Sequence, residues 1–160
     1  MELRYHTPLT PDEQRAQGLD APQTLAIADR VRYAELDVLN HVNNKAYMGW
    51  FETLRVEYFE RFCTPLYAGL PAPRTVLRNA DIHFIREMVA GESYVATARV
   101  TAFRTASYTL EQQLWSGDLR ARMICVMVML HPDGSGRYPL PEAVRTWFRD
   151  VDGAVQDDGS

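Results

Sequence analysis

The apolar positions of this chain change their spacing as the sequence proceeds, and each change marks an element. From Leu25 to Tyr33 they alternate: Leu25, Ile27, Val31 and Tyr33 share one face, with Arg30 and Arg32 on the other. That is the period of a strand. After a polar turn the spacing lengthens. At about 100° per residue, Tyr47, Phe51, Leu54, Tyr58 and Phe62 fall into one stripe, flanked by Trp50 on one side and by Met48 and Phe59 on the other. The pattern predicts a long helix from a cap at Asn43 or Asn44 to about Phe62. Roughly half its circumference is apolar, wider than the stripe of an ordinary surface helix, so other structure must wrap around it.

Beyond the helix, the proline-rich segment Cys63 to Thr75 reads as a long loop. Four β-rich segments follow, Val76–Arg86, Ser93–Thr105, Ala106–Trp115 and Leu119–His131, with turn signals at Ala90-Gly91-Glu92 and Ser116-Gly117-Asp118. Pro132-Asp133-Gly134 is a further turn, and a short last helix is expected from Pro141 to near Asp150. Ahead of the first strand, Thr10-Pro11-Asp12-Glu13 has the form of a capping box with proline at the first helical position, predicting a short helix through Gly18.

The expected organisation is an N-terminal extension over 1–23, one domain over 24–150 and a frayed tail over 151–160. The order strand, long helix, four strands implies an α+β fold, an antiparallel sheet of about five strands curled around one helix. One helix leaves a sheet edge and part of a face uncovered, and a second copy of the chain is the economical cover.

Composition narrows the class. The 160 residues are 46% hydrophobic and 24% charged, as in an ordinary globular domain. A formal charge of −4 gives no general attraction to nucleic acid or to an acidic membrane. Lys45 is the single lysine among seventeen basic residues, a bias that coding preference explains better than phosphate binding. Cys63 and Cys125 form neither a disulfide framework nor a metal motif. The start lacks the apolar core of a signal peptide and no apolar run has membrane-spanning length, so the cytoplasm is the expected location. Metal-ligand spacing, a Walker loop, GxGxxG and GxSxG do not occur.

The candidate chemistry sits between strand and helix. Asp37 lies just ahead of a helix N-terminus, where a carboxylate can attack a carbonyl or activate water, but where an aspartate also commonly caps its own turn. His41 can orient the substrate or the carboxylate, carry a proton, or bond locally. Asn43 and Asn44 are cap residues, and the N–H groups of Asn44, Lys45 and Ala46 are expected to point out of the helix, where a carbonyl oxygen would be polarised. Tyr47, Trp50 and Phe51 read as core or as pocket wall. Glu52 is a second carboxylate held in reserve, and with Arg55 it has the spacing of an ion pair. His83 is expected to pack within a strand. Arg86, Arg99, Arg104, Arg120 and Arg122 suit either phosphates or solvated strand faces.

The string Asp37 to Glu52, DVLNHVNNKAYMGWFE, with Arg32-Tyr33 and Glu35 before it, resembles hotdog-fold thioesterases of the 4-hydroxybenzoyl-CoA thioesterase-like family. Weaker matches at Ala80 to Phe84, Gly91-Glu92, Tyr108 to Gln112 and Pro139 to Val144 extend the similarity over about residues 24–149. The resemblance implies hydrolysis of an acyl thioester, usually acyl-CoA, in fatty acid metabolism. Asp37 would be nucleophile or general base, the backbone N–H of Asn44 the oxyanion donor, and His41 a further catalytic residue. Tyr33, Asn43, Tyr47 and Trp50 would contact substrate. It implies no cofactor beyond the coenzyme A of the substrate, no metal, and a homodimer or homotetramer with sites at the subunit interface. Plant acyl-ACP thioesterases share the Asp37 and His41 spacing but carry an asparagine at the position of Leu39. An acyl-ACP thioesterase, a dehydratase on the same fold and a non-catalytic acyl-CoA binding module are the alternatives.

Overall fold

The computed structural model describes residues 1–157. Helix α1 (Pro11–Ala16) precedes strand β1 (Leu25–Arg30), a 3-10 turn (Tyr33–Glu35) and the long helix α2 (Asn44–Tyr58). Helical backbone continues past α2 as a wider π turn (Phe59–Cys63) and a 3-10 turn (Thr64–Tyr67). Strands β2 (Arg74–Phe84), β3 (Ser93–Phe103), β4 (Ser107–Ser116) and β5 (Asp118–Leu130) follow, then α3 (Glu142–Asp150) and the two-residue β6 (Val155–Gln156). The sheet order is β1-β3-β4-β5-β2, with β6 added to β3. This is the expected α+β class, with six strands in place of about five. β1 runs antiparallel to β3, Leu25 opposite Ala98, while β6 lies parallel to it.

The chain divides into two compact units. One comprises Met1–Val56, Ile82–Ala98 and Gln112–Met123; the other comprises Glu57–Asp81, Arg99–Glu111 and Ile124 onward. In the first, β1 is buried on both faces, because Leu25, Ala26 and Ala28 are all closed off from solvent. The N-terminal segment supplies one of those covers. His6 and Leu9 N–H donate to the carbonyls of Ala28 and Ala26, and Leu9 and Leu19 pack with Ala26, Ala28, Val95 and Trp115. Alanines on β1 leave room for those leucines, each worth about 1.5–3 kcal/mol when fully buried. The capping box forms as predicted: Glu13 N–H donates to Thr10 Oγ1 and Glu13 Oε1 accepts from Thr10 N–H. Gly18 ends the turn at φ +96°, and a Cβ there would come 2.5 Å from the carbonyl oxygen of Gly117. Only glycine fits.

In the second unit, Phe148 of α3 packs against Phe103 and Tyr108, and Phe62 stacks on Trp147 at 4.9 Å. The expected frayed tail is a correction. Asp152 is only 3% exposed; its carboxylate accepts from Tyr58 Oη and from Val100 N–H, and its carbonyl accepts from Arg99. Ala154 and Asp157 N–H then bond to Phe148 and Phe103 carbonyls. Residues 151–157 are therefore held; the rest of the predicted tail lies outside the described residues. The loop expected over Cys63–Thr75 is also corrected, since Cys63 to Tyr67 stays helical before the chain enters β2.

Candidate active site

The alternation that predicts strand through Tyr33 breaks after Arg30. Glu35 takes the Arg32 N–H at 2.7 Å on its carboxylate, and its own N–H reaches Arg32 O, closing a 3-10 turn. Tyr33 consequently stands 88% exposed. The chain then forms a short loop, pinned at its base by a Leu36–Val42 bridge and by Asp37 N–H donating to His41 O at 2.7 Å. Asn40 adopts φ +59°, a conformation that asparagine tolerates better than most residues.

Asp37 sits at the start of this loop and is exposed. Its Oδ1 accepts from Leu39 N–H at 2.8 Å and from His41 N–H at 3.2 Å. The carboxylate is thus anchored through one oxygen, while Oδ2 has no partner among the described residues. The turn-capping arrangement that the sequence offers for Asp37 forms, and it occupies one of the two carboxylate oxygens. Val38 and Leu39 at the tip are 97% and 69% exposed, an apolar tip beside a charged group. The His41 ring is half-buried, and its backbone bridges to Val89.

Asn43 caps α2, its Oδ1 accepting from Ala46 N–H at 2.8 Å. Of the three N–H groups expected to be open, Ala46 is therefore occupied. Those of Asn44 and Lys45 keep no acceptor among the described residues. The helix end is an electropositive corner a few residues along the chain from Asp37.

Glu35 joins loop and helix. Its carbonyl accepts from Asn43 N–H at 2.8 Å, and its Oε2 accepts from Trp50 Nε1 at 2.6 Å. Trp50 in turn stacks on Tyr94 at 4.2 Å, and the buried Tyr47 meets Phe84 edge-on at 5.1 Å. Spacing does not single out Glu35; the available signal is that a half-buried indole N–H requires an acceptor.

The wall behind the loop is the segment 85–92. Met88 O accepts from Val42 N–H, and the mostly buried Arg120 holds Glu87 O at 2.9 Å, Ser116 O at 3.0 Å and the carboxylates of Glu92 and Asp118. Arg86 also pairs with Asp118. Arg99 and Arg104 are engaged with Glu111 and Asp157, so these four arginines meet carboxylates of the protein itself. The expected Glu52–Arg55 pair does not form. Arg55 reaches the buried Gln112, whose amide donates to Phe51 O at 2.8 Å, and Glu52 is exposed. His83 lies in β2 but is exposed, a further correction to the sequence reading. Among the described residues no group of three or more His, Cys, Asp or Glu side chains could hold a metal ion. No described helix is long and apolar enough to cross a membrane.

The geometry can be set beside known proteins. No curated protein matches the chain. Among solved structures, a thioesterase superfamily protein from Jannaschia sp. CCS1 is 41% identical, aligned over 98% of this chain and 100% of its own, with a TM-score of 0.86. That coverage takes in most of the N-terminal segment. A Thermus thermophilus thioesterase, solved with coenzyme A and zinc, is 28% identical over 80% of this chain and 93% of its own, at a TM-score of 0.68. A 1,4-dihydroxy-2-naphthoyl-CoA thioesterase from Synechocystis, 16% identical over 79% of this chain and 96% of its own, shares the fold at a TM-score of 0.66. The hotdog class expected from the Asp37–Glu52 string is thus the class of these structures. The family model for the thioesterase-like superfamily matches residues 31–148, a span that opens just before the anchored carboxylate and closes within α3, and the chain belongs to that superfamily.

Proposed function

We propose that the protein hydrolyses an acyl-CoA thioester to the free acid and CoA, with Asp37 as nucleophile or general base. The observation that carries this reading is the anchoring of Asp37 through one oxygen, with the other open, a few residues along the chain from the uncapped N–H groups of Asn44 and Lys45. Hydrolysis needs an oxygen delivered to the thioester carbon and a donor for the carbonyl oxygen as it becomes anionic. Backbone N–H groups at a helix start supply such a donor without any side chain, and Asn44 N–H is assigned that role. If Asp37 acts as base, it takes a proton from water as the water attacks, and the thiolate of CoA leaves when the tetrahedral intermediate collapses. If it attacks directly, the C–S bond breaks, the CoA thiolate leaves and a mixed acyl anhydride forms on Asp37, which water then hydrolyses to the free acid.

The half-buried His41 orients the reacting groups. Tyr33 and Trp50 flank the substrate, Tyr47 shapes the wall behind it, and Asn43 fixes the helix start. The coenzyme A bound by the Thermus relative supports CoA as the thiol portion. A homodimer accounts for β2, which ends the sheet order and is exposed along most of its length, with Val76, Leu77 and Phe84 uncovered. Pairing of two such dimers would give the tetramer.

The test is thiol release from short, long and aromatic acyl-CoAs, run beside the same acyl groups on acyl carrier protein. Turnover of at least one acyl-CoA supports the proposal. Turnover on carrier protein alone would replace the substrate class, and tight acyl-CoA binding without turnover would make the protein a binding module.

A further inference from the structure

We propose that Glu35 is a positioning residue of the active site, the carboxylate that sets the loop bearing Asp37 against the start of α2. This deepens the reading of Asp37 as the catalytic carboxylate and rests on it. Three bonds from one residue converge on both halves of the site. Oε1 holds Arg32 N–H at 2.7 Å and closes the turn leading into the loop. Oε2 holds Trp50 Nε1 at 2.6 Å, on the second turn of the helix. The backbone carbonyl holds Asn43 N–H at 2.8 Å, and Asn43 is the residue that caps the helix.

Asp37, two residues along, is thereby fixed relative to the N–H groups of Asn44 and Lys45. Both side-chain partners of Glu35 are donors, so both positions require an oxygen. A carboxylate provides two, whereas glutamine must turn its own NH2 toward one donor. Trp50 is itself seated by its stack on Tyr94, so the indole N–H is a fixed anchor rather than a mobile one. Glu52, the other carboxylate singled out by its sequence position, is exposed and makes no such bonds.

Catalysis that depends on a carboxylate and an oxyanion donor falls steeply with sub-ångström misplacement. Glu35→Gln is therefore expected to lower kcat about tenfold, with KM changed by less than about twofold and the thermal midpoint held. Trp50→Phe keeps a stacking ring but removes the donor. The double variant is expected to be slowed by less than the product of the two single losses, because both variants disturb the Glu35–Trp50 contact.

Backbone amide hydrogen exchange at Leu39, His41 and Asn43 is read in the same proteins and needs no substrate; it should speed up in Glu35→Gln. Asp37→Ala, run in parallel, separates the two levels. If that variant keeps wild-type turnover, the catalytic reading fails and the positioning role falls with it. If Asp37→Ala is inactive while Glu35→Gln keeps wild-type kcat, the role of Glu35 alone is overturned. Unchanged exchange at the three amides would overturn it as well.

Discussion

Two aspartates show how differently the two units of this molecule use the same side chain. Asp37 is exposed, held by two backbone N–H groups on one oxygen and open on the other. Asp152 is buried, accepts from Tyr58 and from Val100 N–H, and acts electrostatically on the thiol of Cys63. Burial and this neighbouring carboxylate push both the Tyr58 hydroxyl and the Cys63 thiol far up, so each stays protonated as a donor or an apolar group. The first arrangement leaves one carboxylate oxygen open on an exposed loop. The second spends the charge on internal donors and ties the chain end into its unit.

Asp152→Ala should produce the largest stability change, because it strands the Tyr58 hydroxyl and Val100 N–H in the interior. About 3 kcal/mol is expected. Urea unfolding measures it, and kcat per folded molecule should stay within about twofold of wild type. A tenfold loss of kcat at preserved folding would erase the contrast between the two aspartates.

Gly18→Ala comes next, at about 1–3 kcal/mol, from positive φ and from the close approach to Gly117 O. Its effect should be confined to the midpoint of unfolding, with turnover untouched. That would place the N-terminal layer with Asp152, on the side of cohesion.

The smallest effect is one of pH. The Arg4 guanidinium, with the Thr10 N–H, holds the Glu13 carboxyl at about 2, below its ordinary 4.5. A depressed folded value means that the stabilisation is fully present above 4.5 and is lost as pH falls through about 2. The urea midpoints of wild type and Arg4→Ala should therefore differ at neutral pH and converge across that window. A constant gap would remove the Arg4–Glu13 pair from the account.

Much of this was legible in the sequence where the information is local. The Thr10 capping box, the stripe Tyr47, Phe51, Leu54 and Tyr58, and four strands within about two residues of their predicted ends all rest on short-range pattern. Part of what failed depended on partners distant in the chain, and part on a side-chain contact made within three residues. Residues 151–157 read as frayed because Val100 and Tyr58, which hold Asp152, lie about 50 and 90 positions away. The strand predicted through Tyr33 gave way to a 3-10 turn because Glu35 captures the Arg32 N–H, a contact that alternation does not encode. The site shows the same division. The cap could be picked from its place at the helix start and Asp37 and His41 stood as candidates beside it, whereas the pairing of Glu35 with Trp50 needed the fold to bring it about.

The central claim, that the Asp37 carboxylate does chemistry rather than merely cap its turn, is tested most directly by single-turnover thiol release from acyl-CoA by wild type and by Asp37→Asn. Asparagine keeps an oxygen for the Leu39 and His41 N–H groups but cannot serve as nucleophile or base. A fall of about 100-fold or more is predicted, with the fold and thermal midpoint retained. Turnover within a few fold of wild type would contradict the claim and leave Asp37 as a turn residue alone.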